Sequence, residues 1–150
     1  MVKPFPLQSL LELSQLRLDE SAKRLGELLT GEQEAGARLI LLQQYREEYN
    51  QRFVAAAQNG IGRDAWSNYQ SFLLRLDDAI LQAQAMVDHS KLRTADGQRE
   101  LAAKHGKLKA FDTLSQRHRS RELAVENRKE QRIQDENAAR YYHAQDEEEQ

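Results

Sequence analysis

Gln58-Asn59-Gly60-Ile61-Gly62-Arg63 is the stretch that interrupts a sequence otherwise patterned for helix, and its place in the chain decides the fold. Asn59 and Gly60 readily take left-handed backbone angles, which end a helix. Ile61, just beyond, is placed to fold back on the last turn in a Schellman-type stop. Gly62 or Asp64 then caps a second helix. A connection this short makes the flanking helices antiparallel neighbours. A kink in one continuous helix is the competing reading, and it ignores the stop signals. The sequence predicts an all-α hairpin that turns at Asn59–Arg63.

On the N-terminal side of the turn, Leu11, Leu18 and Leu25 fall seven apart, and Leu28, Ala35, Leu42, Tyr49 and Ala56 form a second sevenfold series. The two series are offset by three, as the a and d positions of a coiled-coil heptad are. Leu39 and Phe53 extend the first series, with Glu32 and Arg46 as polar interruptions. On the C-terminal side, Tyr69, Leu76 and Ala83 interleave with Leu73, Ile80 and Val87, and Leu101 and Leu108 continue the pattern past Thr94, a weak position. Phe111, Leu114, Leu123 and Ile133 carry a thinning stripe into a charged stretch.

Both prolines, Pro4 and Pro6, stand at the start. An interior proline costs a helix about 3 kcal/mol, so the rest of the chain is free to form very long helices. A first helix from Leu7 to Gln58 would be about 78 Å long, and a second from Asp64 to Ala139 about 114 Å. The second then outruns the first by about 36 Å, starting near Asp112–Gln116. Residues 1–6 are expected to be disordered, 7–139 to form the coiled coil, and 140–150, ending Asp146-Glu147-Glu148-Glu149-Gln150, to be an acidic flexible tail. Gly26, Gly31, Gly36, Gly97 and Gly106 lie within the helices and weaken them locally.

Composition closes off other classes. Hydrophobic residues are 39% and charged residues 31%, with a mean hydropathy of −0.83. A globular domain has about 45–50% apolar and about 25% charged residues. A two-helix seam needs only a stripe of apolar side chains and tolerates this composition. There is no cysteine, hence no disulfide, thiolate metal site or cysteine nucleophile. No apolar run reaches the length of a signal peptide or a membrane span. His89, His105, His118 and His143 lack metal-ligand spacing, and no phosphate-cradling glycine motif occurs. Two helices make a poor pocket for shifting a catalytic pKa. The expectation is a cytoplasmic protein that is not an enzyme and has no cofactor.

Two surfaces remain to carry function. Between Lys104 and Arg132, basic residues interleave with Glu122, Glu126 and Glu130. The net charge of −2 and this mixed pattern fit a protein partner better than a nucleic acid, which stands as the alternative. Tyr45 and Tyr49 lie on one helical face, as do Phe72, Leu76 and Ala79, and counting from the turn sets the two groups at similar height. Tyr49 and Leu76 belong to the seam series, whereas Tyr45 and Phe72 belong at its margin, where exposed aromatics mark binding patches.

In order along the chain, Leu25-Gly26-Glu27, Tyr45 and Tyr49, Asn59-Gly60-Ile61, Trp66, Asn68-Tyr69-Gln70, Phe72, Leu76, Ala79-Ile80, Ala124, Glu126-Asn127-Arg128, Gln131 and Asp135-Glu136 resemble the flagellar type III export protein FliJ family. The resemblance implies a stalk-like antiparallel coiled coil that enters the hexameric export ATPase and couples it to the export gate. It also implies binding to the cytoplasmic domain of the gate membrane protein, handling of export chaperones, and peripheral association with the inner membrane at the flagellar base. It places gate binding on Leu42, Tyr45, Tyr49, Phe72, Leu76 and Ala79, with Arg38 and Ala83 departing from the family pattern at the edges. ATPase binding is expected on the C-terminal helix, at Arg117, Arg119, Arg121, Glu126, Asn127, Arg128, Gln131 and Arg132. A generic coiled-coil adaptor would share the composition but lack these partners.

Overall fold

A computed structural model describes residues 3–149. Two helices, α1 (Gln8–Asn59) and α2 (Arg63–Glu148), pack against each other as an antiparallel hairpin, with no strand among the described residues. The turn forms where the stop signals lie. Gly60 takes φ +84°, a conformation that costs any residue with a Cβ. Its N–H donates to the Ala57 carbonyl at 3.2 Å, closing α1. The Trp66 N–H donates to the Gly62 carbonyl at 3.0 Å, so Gly62 caps α2. Asp64 places its negative charge in the first turn of α2, facing the positive end of the helix dipole.

The chain divides into two compact units, Met1–Leu18 with Lys104–Gln150, and Asp19–Ala103. In the unit that holds the turn, α1 covers Ser21, Leu25, Leu28, Glu32, Ala35, Leu39, Leu42, Arg46, Tyr49, Phe53 and Ala56 in strict 3–4 alternation. Helix α2 answers with the same alternation from Tyr69 to Leu101. The fully covered centre is small: Leu39, Ala83 and Val87, flanked by Ala35, Leu42 and Ile80. One helix can shield only a stripe of another, so most seam residues stay half-buried. The polar interruption Arg46 is matched by Asp77, whose carboxylate accepts from Arg46 Nε and, at 3.4 Å, from Nη2. This hydrogen bond holds the Asp77 carboxyl below the usual carboxylate range and raises the Arg46 guanidinium.

Farther from the turn the seam narrows. Thr94, expected to be a weak position, is buried, as are Ser21 and Gly97. A Cβ at Gly97 would stand 2.8 Å from Leu28 Cδ1 and 3.4 Å from Leu25 Cδ1. Two leucines therefore pack directly on the α2 backbone, and only a residue without a side chain lets them do so. The Thr94 hydroxyl donates to the Leu28 carbonyl at 3.5 Å, while the buried Ser21 Oγ has no hydrogen-bond partner among the described residues. Arg24 Nη1 donates to both Glu100 oxygens, at 2.8 and 2.9 Å, across the edge of this region. That exposed pair contributes about 0.2–1 kcal/mol.

In the other unit, Leu11, Ser14 and Leu18 face Lys104, Leu108, Phe111 and Ser115 in the same alternation. Lys3 and Phe5, in the segment expected to be disordered, contact α2. The Lys3 N–H donates to Glu122 at 3.3 Å, the His118 Nε2–H donates to the Lys3 carbonyl at 3.0 Å, and the rings of Phe5 and His118 lie 5.6 Å apart. Pro6 and Leu7 form a turn that leads into α1, closed by the Gln8 N–H donating to the Phe5 carbonyl at 3.1 Å. Met1 and Val2 lie outside the described residues. Helix α2 also continues nine residues past the expected end at Ala139, to Glu148. No Gly or Pro follows Gly106, and the Arg, Glu, Gln and Ala that dominate there are strong helix formers. Gln150, the end of the expected tail, lies outside the described residues.

Candidate protein-binding surface

Near the turn, aromatic side chains form a continuous ladder across the seam. Tyr45, Tyr49 and Phe53 recur every four residues on α1, and Trp66, Tyr69 and Phe72 every three on α2. These spacings project each set along one face, so antiparallel pairing interleaves them. Ring centroids run Tyr45 to Phe72 at 6.3 Å, Phe72 to Tyr49 at 4.3 Å, and Tyr49 to Tyr69 at 5.3 Å. Tyr69 to Phe53 follows at 5.4 Å and Phe53 to Trp66 at 4.9 Å. Tilted and edge-on pairs at such distances contribute about 0.5–1.5 kcal/mol each beyond area burial. The ladder therefore holds its own side chains in place before any partner arrives.

The six residues expected to bind the gate do not share one environment. Tyr45 is 47% exposed, whereas Leu76 is only 7% exposed and sits in the seam. Leu42, Tyr49, Phe72 and Ala79 are half-buried. Tyr45 and Phe72 are thus the ring pair on the margin, with Leu42 and Ala79 beside them and Leu76 as their floor. Of the two edge positions, Arg38 is exposed, while Ala83 is packed in the core with Leu39 and Val87. Trp66, exposed at the far end of the ladder, lies outside the residues that spacing alone groups into the patch. Its signal was the three-residue interval to Tyr69 and Phe72, read across the turn against Tyr45, Tyr49 and Phe53.

The second expected surface lies on α2 past the point where α1 covers it. Arg117, Arg119, Arg121, Asn127, Arg128, Gln131 and Arg132 are exposed, and Glu126 is half-buried. Leu123, Val125, Ile133, Tyr141 and Tyr142 are exposed on the same helix. Arg128 and Arg132 share one face, and Arg117 and Arg121 another pair of successive turns, so cations line this helix with carboxylates between them. Among the described residues, no group of three or more His, Cys, Asp or Glu side chains is placed to hold a metal ion. Among the same residues, no helix is long and apolar enough to cross a membrane.

Two long helices paired along a 3–4 seam, with an aromatic ladder beside the turn, define a coiled-coil hairpin protein. The chain belongs to the flagellar FliJ protein family, whose model matches residues 3–147. It is 32% identical over 134 residues to the flagellar FliJ protein of Salmonella typhi, covering 89% of this chain and 91% of that protein. It is 31% identical over 134 residues, with the same coverage, to the flagellar FliJ protein of Escherichia coli strain K12.

Proposed function

We propose that this FliJ-family chain, a component of the flagellar export apparatus, couples the hexameric export ATPase to the export gate as a stalk-like cytoplasmic protein without catalytic activity of its own. In this reading Leu42, Tyr45, Phe72 and Ala79 contact the cytoplasmic domain of the gate protein. Tyr49 and Leu76 support them from below. The ATPase ring takes the C-terminal helix through Arg117, Arg119, Arg121, Glu126, Asn127, Arg128, Gln131 and Arg132. Export chaperones are further partners, and attachment to the inner membrane runs through the gate rather than through any span of this chain.

The observation that carries the proposal is the half-exposed Tyr45 ring held edge-on against Phe72. Such a pre-positioned aromatic loses little conformational freedom on binding, the usual property of an interface hot spot. Coupling is supported by helices that run unbroken from residues in one unit to residues in the other. Tyr45→Ala should weaken binding to the purified gate domain by about tenfold or more, with the circular dichroism unchanged. Unaltered affinity would remove this surface from the proposal. Ending the chain after Arg117 should abolish stimulation of ATP hydrolysis by the ring, and full stimulation by that truncated chain would refute the second contact.

A further inference from the structure

Within the unit built from Met1–Leu18 and Lys104–Gln150, one edge of the seam opens into a groove. Its apolar lining is Leu10, Leu13 and Phe111, and its charged lining is Arg17, Lys104 and Lys107. No carboxylate lines it, and none of the three cations has an ion-pair partner among the described residues. Leu10 and Leu13 remain exposed there. An apolar floor with unneutralised cations is complementary to a helix that presents aromatic and acidic side chains on one stripe.

The chain carries such a stripe itself. On α2 the positions that begin Lys104, Lys107, Phe111, Leu114 continue at 3–4 spacing to Ala139, Tyr142 and Asp146, with Glu149 one residue past its end. The first part is basic and apolar, the last part apolar and acidic. Run antiparallel against a copy of itself, the stripe sets Lys104 against Glu149, Lys107 against Asp146, Phe111 against Tyr142, Leu114 against Ala139 and His118 against Asp135. One like-charged apposition arises, Arg121 with Arg132, near the centre and beside the carboxylates of Glu126 and Glu130. The acidic segment cannot reach the groove of its own chain, because about 46 Å of unbroken helix separates Phe111 from Tyr142.

We infer that the groove receives the C-terminal acidic segment, residues 135–149, of a second copy of this chain, in a reciprocal two-fold pairing of the C-terminal parts of α2. A two-fold arrangement makes the contact twice, and it covers Val125, which lies on the stripe and is exposed in the single chain. One short helix in one groove would fall below the roughly 1,200 Å² of a standard interface; two grooves and the overlap between them approach it. The pairing covers Arg121, Arg128 and Arg132, so it excludes the ATPase contact proposed above while it lasts, and sedimentation of the chain alone tests it without that partner.

The test is sedimentation of the full chain from micromolar to high micromolar concentration, at low and at high salt. The unmodified chain should associate to dimers, more weakly at high salt. Arg17→Glu with Lys107→Glu alters only exposed groove side chains, and Asp146→Lys with Glu149→Lys alters only exposed tail side chains. Each double variant should weaken dimerisation at least about tenfold, since every reversal acts twice across the two-fold axis. An equimolar mixture of the two double variants should pair again as a heterodimer, through one set of contacts of the original polarity and one of reversed polarity. An unmodified chain that stays monomeric throughout would overturn the inference and leave the groove to an acidic helix of another protein. Dimers insensitive to both reversals, or a mixture that fails to pair, would overturn it equally.

Discussion

Replacing Gly97 with Ala sets two effects of similar size against each other, and the seam geometry decides between them. In an open helix the change is favourable by about 1 kcal/mol, because alanine narrows the unfolded ensemble and favours helix. At residue 97 the new methyl would stand 2.8 Å from Leu28 Cδ1 and 3.4 Å from Leu25 Cδ1. Carbon atoms pack comfortably at about 3.5–4.0 Å. Leu28 must therefore withdraw by most of an ångström, or the two backbones must separate. Overpacking costs about 1–3 kcal/mol, toward the low end here because the atom that must move is the terminal methyl of a half-buried leucine, so it offsets the propensity gain and leaves a net loss of about 0–1 kcal/mol. Gly26, Gly31, Gly36 and Gly106 have nothing within 4 Å of an added Cβ, so the same substitution there should stabilise by about 0.5–1 kcal/mol. The assay is urea unfolding of the five single variants followed by helical ellipticity, with Gly97→Ala also made in a Leu28→Ala background. The clash vanishes in that background, and Gly97→Ala should turn favourable there, a coupling of about 1 kcal/mol or more. If Gly97→Ala alone stabilises as much as Gly106→Ala, the close approach does not govern this part of the seam.

Three further outcomes are expected. Gly60→Ala forces a side chain into φ +84° and should cost about 1–2 kcal/mol in the same urea assay. The Asp77 carboxyl titrates lower in the folded chain than in the unfolded one, so the Arg46 pair contributes stability above the ordinary carboxylate range and loses it as pH falls through the depressed folded value. Melting curves of the natural chain and of Asp77→Asn should therefore differ at neutral pH and converge in strong acid. Phe5→Ala removes the ring packed at a tilt against His118; hydrogen exchange should quicken at Lys3 and at Gln8, whose N–H bonds to the Phe5 carbonyl at 3.1 Å, while amides near Leu39 and Val87 keep their protection.

The hairpin was legible because its signals are local and mutually consistent. Gly60 marks the stop, Gly62 the cap, and leucines at seven-residue intervals mark the seam. The narrow region was not legible as such. Ser14, Ser21 and Thr94 occupy seam positions without being hydrophobic, and a search for apolar periodicity passes over them. Gly97 read as a weak point of a helix, whereas its value lies in the neighbour it admits. The contacts of the N-terminal segment were not legible because prolines forbid helix but do not forbid packing, and only the placement of His118 and Glu122 shows where Lys3 and Phe5 lie. Of the aromatic patch, Tyr45 and Phe72 were found from spacing. Leu76 carries the same apolar signal as its neighbours, and only burial distinguishes a floor from a face.

The contact of Leu28 with Gly97 also determines how the two helices of its unit can move against each other. Heptad seams are periodic, so a slide of one full repeat ordinarily trades each side chain for an equivalent neighbour. Here the repeat is broken by a single vacancy in the side-chain row. One heptad closer to the turn, Leu28 would meet Ser90, whose side chain occupies the space that Gly97 leaves free. Slippage would require the leucine to climb out of its slot and find no other. The pairing is indexed to one alignment at that point, and an axial displacement imposed on one helix is passed to its neighbour instead of being lost as sliding.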